Sequence, residues 1–261
     1  MDVTPFRVRS GDAELAGVRF GSGPPLVVAH PLAFSKAYFA AAASVFGPRF
    51  TTVAFDQRGH GETEGPVDPD AMAGDWGAIL DHFGWERAAV GGTSLGAATA
   101  LRFALRSPGR VRILVQDLPG FGPRPRRDPV RTQRVAEALK RADLEEAARR
   151  IVEGMSPSRA RAWQEALRAD WGRYDPARLG PKLAAAFRAT ADWPVVDPWP
   201  DALAGLTAPV RILAVRGDPS HPWEIAETMA RALPRARLVP RVLSLDPAAI
   251  ARQWVDVLSS E

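Results

Sequence analysis

Cysteine is absent from the 261-residue chain. Neither a disulfide framework nor a thiolate zinc site can therefore be built. Histidine is scarce. The four residues His30, His60, His82 and His221 stand at no close ligand spacing to one another, so a histidine-held metal is not expected either. No glycine-rich loop suited to a phosphate is present, and no cofactor is expected. No apolar run approaches about 20 residues, which argues against a membrane span. The first residues, Met1-Asp2-Val3-Thr4-Pro5, lack the basic-then-apolar pattern of a secretory signal, so a cytoplasmic location is the expectation. The net charge of +4 is small, its basic part is almost all Arg, and it is spread along the chain. No tract resembles a nucleic-acid-reading motif, so no nucleic-acid partner is expected.

What is present is an ordinary globular composition, 46% hydrophobic and 25% charged. The length suits one large α/β domain carrying an insertion. The stretch that organises the chain is Gly92-Thr93-Ser94-Leu95-Gly96, a G-x-S-x-G pattern. Before it lies Ala88-Ala89-Val90-Gly91, an apolar run fit for a buried strand. After it, Ala97 to Leu105 is rich in good helix formers. A strand, a tight turn and a helix are the context this pattern needs. Glycine on both sides lets the backbones close around an exposed serine. The helix N-terminus and the Leu95 amide then face any oxyanion that forms beside Ser94.

Around that centre the periodicities alternate. Phe6–Arg9 and Leu15–Phe20 flank Ser10-Gly11-Asp12 and read as an antiparallel edge hairpin. Leu26–Ala29, Thr51–Phe55 and Val111–Val115 are short apolar strands. Tyr38, Phe39, Ala42, Val45 and Phe46, and then Met72, Trp76, Ile79, Leu80 and Phe83, follow helical spacing. This alternation from about residue 26 to 118 predicts a mostly parallel sheet with helices on both faces. Ligands of such sheets bind beyond the strands' carboxyl ends, where Leu32, Asp56, Ser94 and Asp117 all fall.

The alternation stops between about 121 and 200. Pro123-Arg124-Pro125-Arg126-Arg127-Asp128-Pro129 reads as a linker. Helical patterns follow at roughly 130–153, 157–171 and 176–191. An all-helical insertion over 121–200 would sit above the site as a cap, on a core made of 1–120 and 201–261. Its aromatics, Trp163 among them, are packing residues or pocket contacts. The Arg124–Arg131 cluster reads as a solvated linker, with attraction of an anionic substrate as the alternative. Strand character resumes at Val210–Val215 and again at Arg237–Val239, with helices over about 223–233 and Pro247–Leu258.

On these marks the chain resembles the α/β-hydrolase fold family, over nearly its full length. His30-Pro31-Leu32 stands where that family has its oxyanion loop. Asp56-Gln57-Arg58-Gly59-His60-Gly61 matches its D-x-R-G-x-G loop, Gly92–Gly96 its nucleophile elbow, and Gly217–Pro222 its acid loop. The resemblance implies Ser94 as nucleophile, Asp218 as acid, and the amides of Leu32 and Leu95 as oxyanion hole. Pro31 departs from the family's glycine, and its fixed φ reshapes that loop.

The larger departure is the base. The family order is Ser, acid, His, with the histidine after the last strand. Here that stretch reads Pro240-Arg241-Val242-Leu243-Ser244-Leu245-Asp246, and no histidine follows His221. A serine hydroxyl is a weak nucleophile without a base. His221, three residues past Asp218, is the best-placed substitute, unless it merely packs or caps the next helix. His30 supports the oxyanion loop or joins the pocket with Asp117 and Trp163. His60 reads as structural and His82 as a surface residue. Asp56 stabilises its own turn.

Three functions compete. The first is a serine hydrolase of small esters, lactones or thioesters with an atypical triad. The second is a lyase, isomerase or cyclase that uses Ser94 and the oxyanion hole to polarise a carbonyl. The third is an inactive relative that binds a ligand. A small-molecule substrate is the expected partner, and a homo-oligomer is open. The deciding quantity is which imidazole comes within about 3.5 Å of the Ser94 hydroxyl.

Overall fold

In a computed structural model, which describes residues 2–120, 129–191, 193, 196–218 and 220–259, eight strands form one sheet. In chain order they are β1 (Val3–Ser10), β2 (Ala13–Phe20), β3 (Pro25–Ala29), β4 (Thr51–Phe55), β5 (Ala88–Thr93), β6 (Val111–Asp117), β7 (Val210–Ala214) and β8 (Ala236–Pro240). In space they run β1-β2-β4-β3-β5-β6-β7-β8. β1 and β2 form the antiparallel hairpin, β2 pairs antiparallel with β4, and every later pairing is parallel.

The parallel strands are short and apolar because both of their faces are covered. Alternation by two sorts their residues between two cores. Val27, Ala29, Val53, Phe55 and Val90 face one core. Leu26, Val28, Ala54 and Ala89 face the other. The first core packs against α3 (Pro69–His82), α4 (Leu95–Arg106) and α9 (Trp223–Ala232); Trp76 of α3 meets Phe55 edge-on at 5.2 Å. The second packs against two single-turn helices, α1 (Ala37–Ala40) and α2 (Ala43–Phe46), and the closing helix α10 (Pro247–Ser259). Fully buried Trp254 of α10 meets Phe39 and Phe46 there.

The loop after β4 is fastened by two buried ion pairs. Arg58 donates to Asp75 of α3, to Asp12 in the hairpin turn and to the Ser10 carbonyl, tying hairpin, loop and helix together. Asp56 accepts from the Lys36 amide at 2.6 Å, the Lys36 ammonium at 2.7 Å and the Glu62 amide at 2.9 Å.

Among the described residues, four α-helices stand between β6 and β7: α5 (Pro129–Lys140), α6 (Leu144–Ile151), α7 (Pro157–Trp171) and α8 (Pro176–Ala189). The single helix expected over 130–153 is broken. Ala142 has φ 58°, and the Asp143 carboxylate accepts from the Glu146 N–H at 3.0 Å to start α6. α8 crosses α5 at Gly180, where a Cβ would come within 2.2 Å of the Leu139 carbonyl oxygen. The Pro/Arg linker lies outside the described residues up to Asp128. Among the described residues no helix is long and apolar enough to cross a membrane.

Candidate active site

Only Ser94 separates β5 from α4. Its backbone, at φ 58° and ψ −106°, is one that a side-chain-bearing residue adopts at a cost of about 1–3 kcal/mol. The surroundings hold it there. The Ser94 N–H donates to the Asp117 carbonyl at 2.8 Å, and its own carbonyl accepts from the Ala98 N–H at 3.0 Å. Both flanking glycines are compelled by space. A Cβ on Gly92 would lie 2.3 Å from the Gly96 backbone, and one on Gly96 would lie 2.0 Å from the Ala29 carbonyl oxygen. The turn is thus wedged against the carboxyl end of β3.

The loop after β7 supplies the other two groups. His221 Nε2 lies 3.0 Å from Ser94 Oγ. The ring's Nδ1 lies 3.4 Å from Asp218 Oδ1. Asp218 Oδ1 also accepts from the Ser220 N–H at 2.8 Å and the His221 N–H at 3.2 Å, which fixes the turn that carries the ring. Asp218 Oδ2 accepts from Arg159 of α7 at 2.7 Å. Burial alone would push this carboxyl upward. The His221 ring, Arg159 and the Ser220 N–H outweigh it and hold Asp218 well below the usual carboxylate range.

The loop after β3 stands beside this turn because β3 pairs in parallel with β5, Ala29 opposite Gly92. His30 Nδ1 lies 2.9 Å from the Pro31 carbonyl, and its Nε2 accepts from the Gln57 N–H at 3.0 Å. With both nitrogens engaged and burial lowering its pKa to about 4, His30 is a neutral brace for the loop. The chain then turns at Ala33, φ 74°. The end of α7 grips this bend: the Trp171 indole N–H donates to the Ala33 carbonyl at 2.6 Å, and Asp170 accepts from the Ser35 N–H at 3.2 Å and hydroxyl at 3.0 Å. Among the described residues, the N–H groups of Leu32 and Leu95 take part in no protein hydrogen bond.

Of the remaining histidines, His60 is buried, its pKa lowered to about 3 chiefly by burial. His82 is exposed and stacks on Phe6 at 5.7 Å. Among the described residues no group of three metal-ligating side chains occurs.

Ser94, His221, Asp218 and Leu32 open into a cavity of ≈ 760 Å³, walled also by α5, α7 and the loop after β8. Trp163 is in its wall. His30 and Asp117, expected in the pocket, do not line it: both are fully buried behind the wall, their polar atoms taken by protein partners.

Asp117 instead accepts from Thr93 at 2.9 Å, from Trp254 at 3.3 Å and from Arg241 at 2.5 Å. Arg241 stands in the stretch where the missing histidine was sought. Burial opposes its charge, but the Asp117 carboxylate and the Tyr38 hydroxyl raise its pKa beyond the ordinary value. Tyr38, Arg159 and Arg241 all line the cavity, and sequence reasoning passed over all three. The only sequence signal was positional, for Arg241. A hydroxyl, an imidazole 3.0 Å away and a carboxylate beyond it can together withdraw a proton and generate an oxygen nucleophile.

The comparisons with known proteins agree on one scaffold. The family described as alpha/beta hydrolase fold matches residues 24–241. A 2-(acetamidomethylene)succinate hydrolase from Mesorhizobium japonicum is 33% identical over 98 residues. That match covers 36% of this chain and 35% of the relative, so the chain spans about a third of that curated protein. Among solved structures, an enol-lactonase from Burkholderia xenovorans superposes with a TM-score of 0.78 at 18% identity, over 98% of this chain and 100% of that one. An alpha/beta hydrolase from Sphaerobacter thermophilus superposes at 0.73 with 24% identity, over 97% and 100%. At such identities these two likenesses speak for the fold alone.

Proposed function

The chain belongs to the α/β-hydrolase fold family, and on that premise we propose that it is a serine hydrolase of small esters, lactones or thioesters. Ser94 is the nucleophile, His221 the general base and Asp218 the acid that orients the ring. The observation that carries the reading is the 3.0 Å approach of His221 Nε2 to Ser94 Oγ. The base thus comes from the acid's own loop rather than from the loop after the last strand. The family's order of serine, acid and histidine along the chain is kept.

In this reading the Ser94 hydroxyl donates to Nε2 and attacks the substrate carbonyl as the ring takes its proton. The N–H groups of Leu32 and Leu95, which have no protein acceptor among the described residues, receive the oxyanion. The imidazolium, steadied by Asp218, then protonates the leaving alcohol or thiol. A water activated by the same ring hydrolyses the acyl-enzyme. Residues 121–200 act as a cap on the core of 1–120 and 201–261, and the grip of α7 on Ala33 and Ser35 sets the oxyanion loop beneath it.

The test is covalent labelling with a fluorophosphonate. The expected result is one adduct per chain, on Ser94, lost in Ser94→Ala and strongly slowed in His221→Ala. Folded protein that carries no adduct on Ser94 would overturn the reading.

A further inference from the structure

We propose that the cavity takes acyl substrates bearing a second, free carboxylate, anchored by Arg131 and Thr132 on the first turn of α5. This rests on the hydrolase reading above and adds to it the class of substrate.

The cavity wall carries three arginines and one aspartate of fixed sign: Arg131, Arg159, Arg241 and Asp218. Two of the arginines are matched. Arg159 pairs with Asp218 at 2.7 Å, and Arg241 with Asp117 at 2.5 Å. Arg131 pairs with no carboxylate among the described residues. Its Nε–H donates to the Arg150 carbonyl at 3.2 Å and a second N–H to the Ile151 carbonyl. These bonds set the guanidinium on the last carbonyls of α6, and among the described residues Arg131 is the wall arginine with no full negative charge beside it.

The neighbouring residue adds an independent sign. Thr132 is 5% exposed, and its hydroxyl has no hydrogen-bond partner among the described residues. The buried indole N–H of Trp163, also in the cavity wall, is likewise without one among the described residues. Much of the remaining wall is apolar: Val135, Leu167 and Phe187. An idle buried hydroxyl is costly in such surroundings. A carboxylate held at Arg131 can accept from the guanidinium and from the hydroxyl of the adjoining Thr132. One unmatched cation suits a singly charged carboxylate rather than a doubly charged phosphate.

The test compares mono-p-nitrophenyl adipate and suberate with neutral p-nitrophenyl alkanoates of equal chain length. The wild type is expected to favour the acidic half-esters in kcat/KM by about tenfold or more, mainly through KM. Added salt should shrink that ratio. Arg131→Gln and the near-isosteric Thr132→Val should bring it toward one, while the exposed Arg231→Gln keeps it. A wild-type ratio at or below one overturns the proposal. So does a ratio unmoved in Arg131→Gln and Thr132→Val proteins that melt cooperatively. Should neither ester class be turned over, the hydrolytic reading is what has failed. Titration calorimetry with adipate then decides: binding that is lost in Arg131→Gln upholds the carboxylate site, and absence of binding removes it.

Discussion

Replacing Asp170 with asparagine should stabilise the protein at neutral pH and leave it little changed in acid. Asp170 is the penultimate residue of α7 and is 6% exposed, with Ser35 as its donor partner. Burial raises its pKa from the ordinary 3.8 to about 6, against the two Ser35 bonds that favour the ionised form. At about 1.4 kcal/mol per unit, that displacement is worth about 3 kcal/mol. Below about pH 4 the group is protonated whether the chain is folded or not, and the folded state keeps its full advantage. As pH rises through about 6 the folded chain must ionise a buried carboxyl, and the advantage is lost. Asparagine keeps an acceptor for the Ser35 N–H and never ionises. The wild type should therefore fall behind Asp170→Asn by about 3 kcal/mol between pH 4 and pH 8, which for a chain of this size is about 5–10 °C in Tm. Thermal and urea melts of both proteins across that range measure the difference directly, since titrations common to both cancel. Parallel stability curves, with no divergence as pH rises, would refute the assigned burial penalty.

Other outcomes rest on the same geometry. Gly96→Ala should fail to fold or lose several kcal/mol, because its Cβ must enter the Ala29 carbonyl, whereas Gly74→Ala in α3, with open space around it, should gain about 0.5–1 kcal/mol; urea titrations of both decide. Arg241→Met leaves the Asp117 carboxylate buried without its cation and should cost about 3–5 kcal/mol. Adding Asp117→Asn should recover much of that loss, and a double variant no more stable than the single one would count against the pair. On the proposed mechanism, Asp218→Asn should lower kcat on the order of 10³–10⁴-fold, as for the triad acid of serine hydrolases, with little change in KM; initial-rate kinetics on an activated ester measure this.

Much of the fold was readable because strands buried on both faces show as continuous apolar runs, and helices show a stripe of apolar residues. The Ser94 turn was readable for a stricter reason: two backbone approaches near 2 Å leave only glycine at positions 92 and 96. The break between α5 and α6 was missed although its signal was present, since Asp143 and Glu146 stand at capping-box spacing. Helical periodicity resumes after three residues and hides it. The partners of the site residues were not readable. Arg159 meets Asp218 across 59 positions and Arg241 meets Asp117 across 124, and only tertiary packing sets those pairs. His30 and Asp117 misled because both stand at strand ends, where the carboxyl edge is the expected place for ligand contacts. The sheet's own loops use up their polar atoms first.

In the proposed triad the histidine and the aspartate are three positions apart on one bend, so two chain segments, not three, carry its side chains. On that proposal, drift in the segment beyond the eighth strand moves none of the three side chains. Leu243, Ser244 and Leu245 on that segment border the chamber, and they are free to change with whatever molecule has to fit.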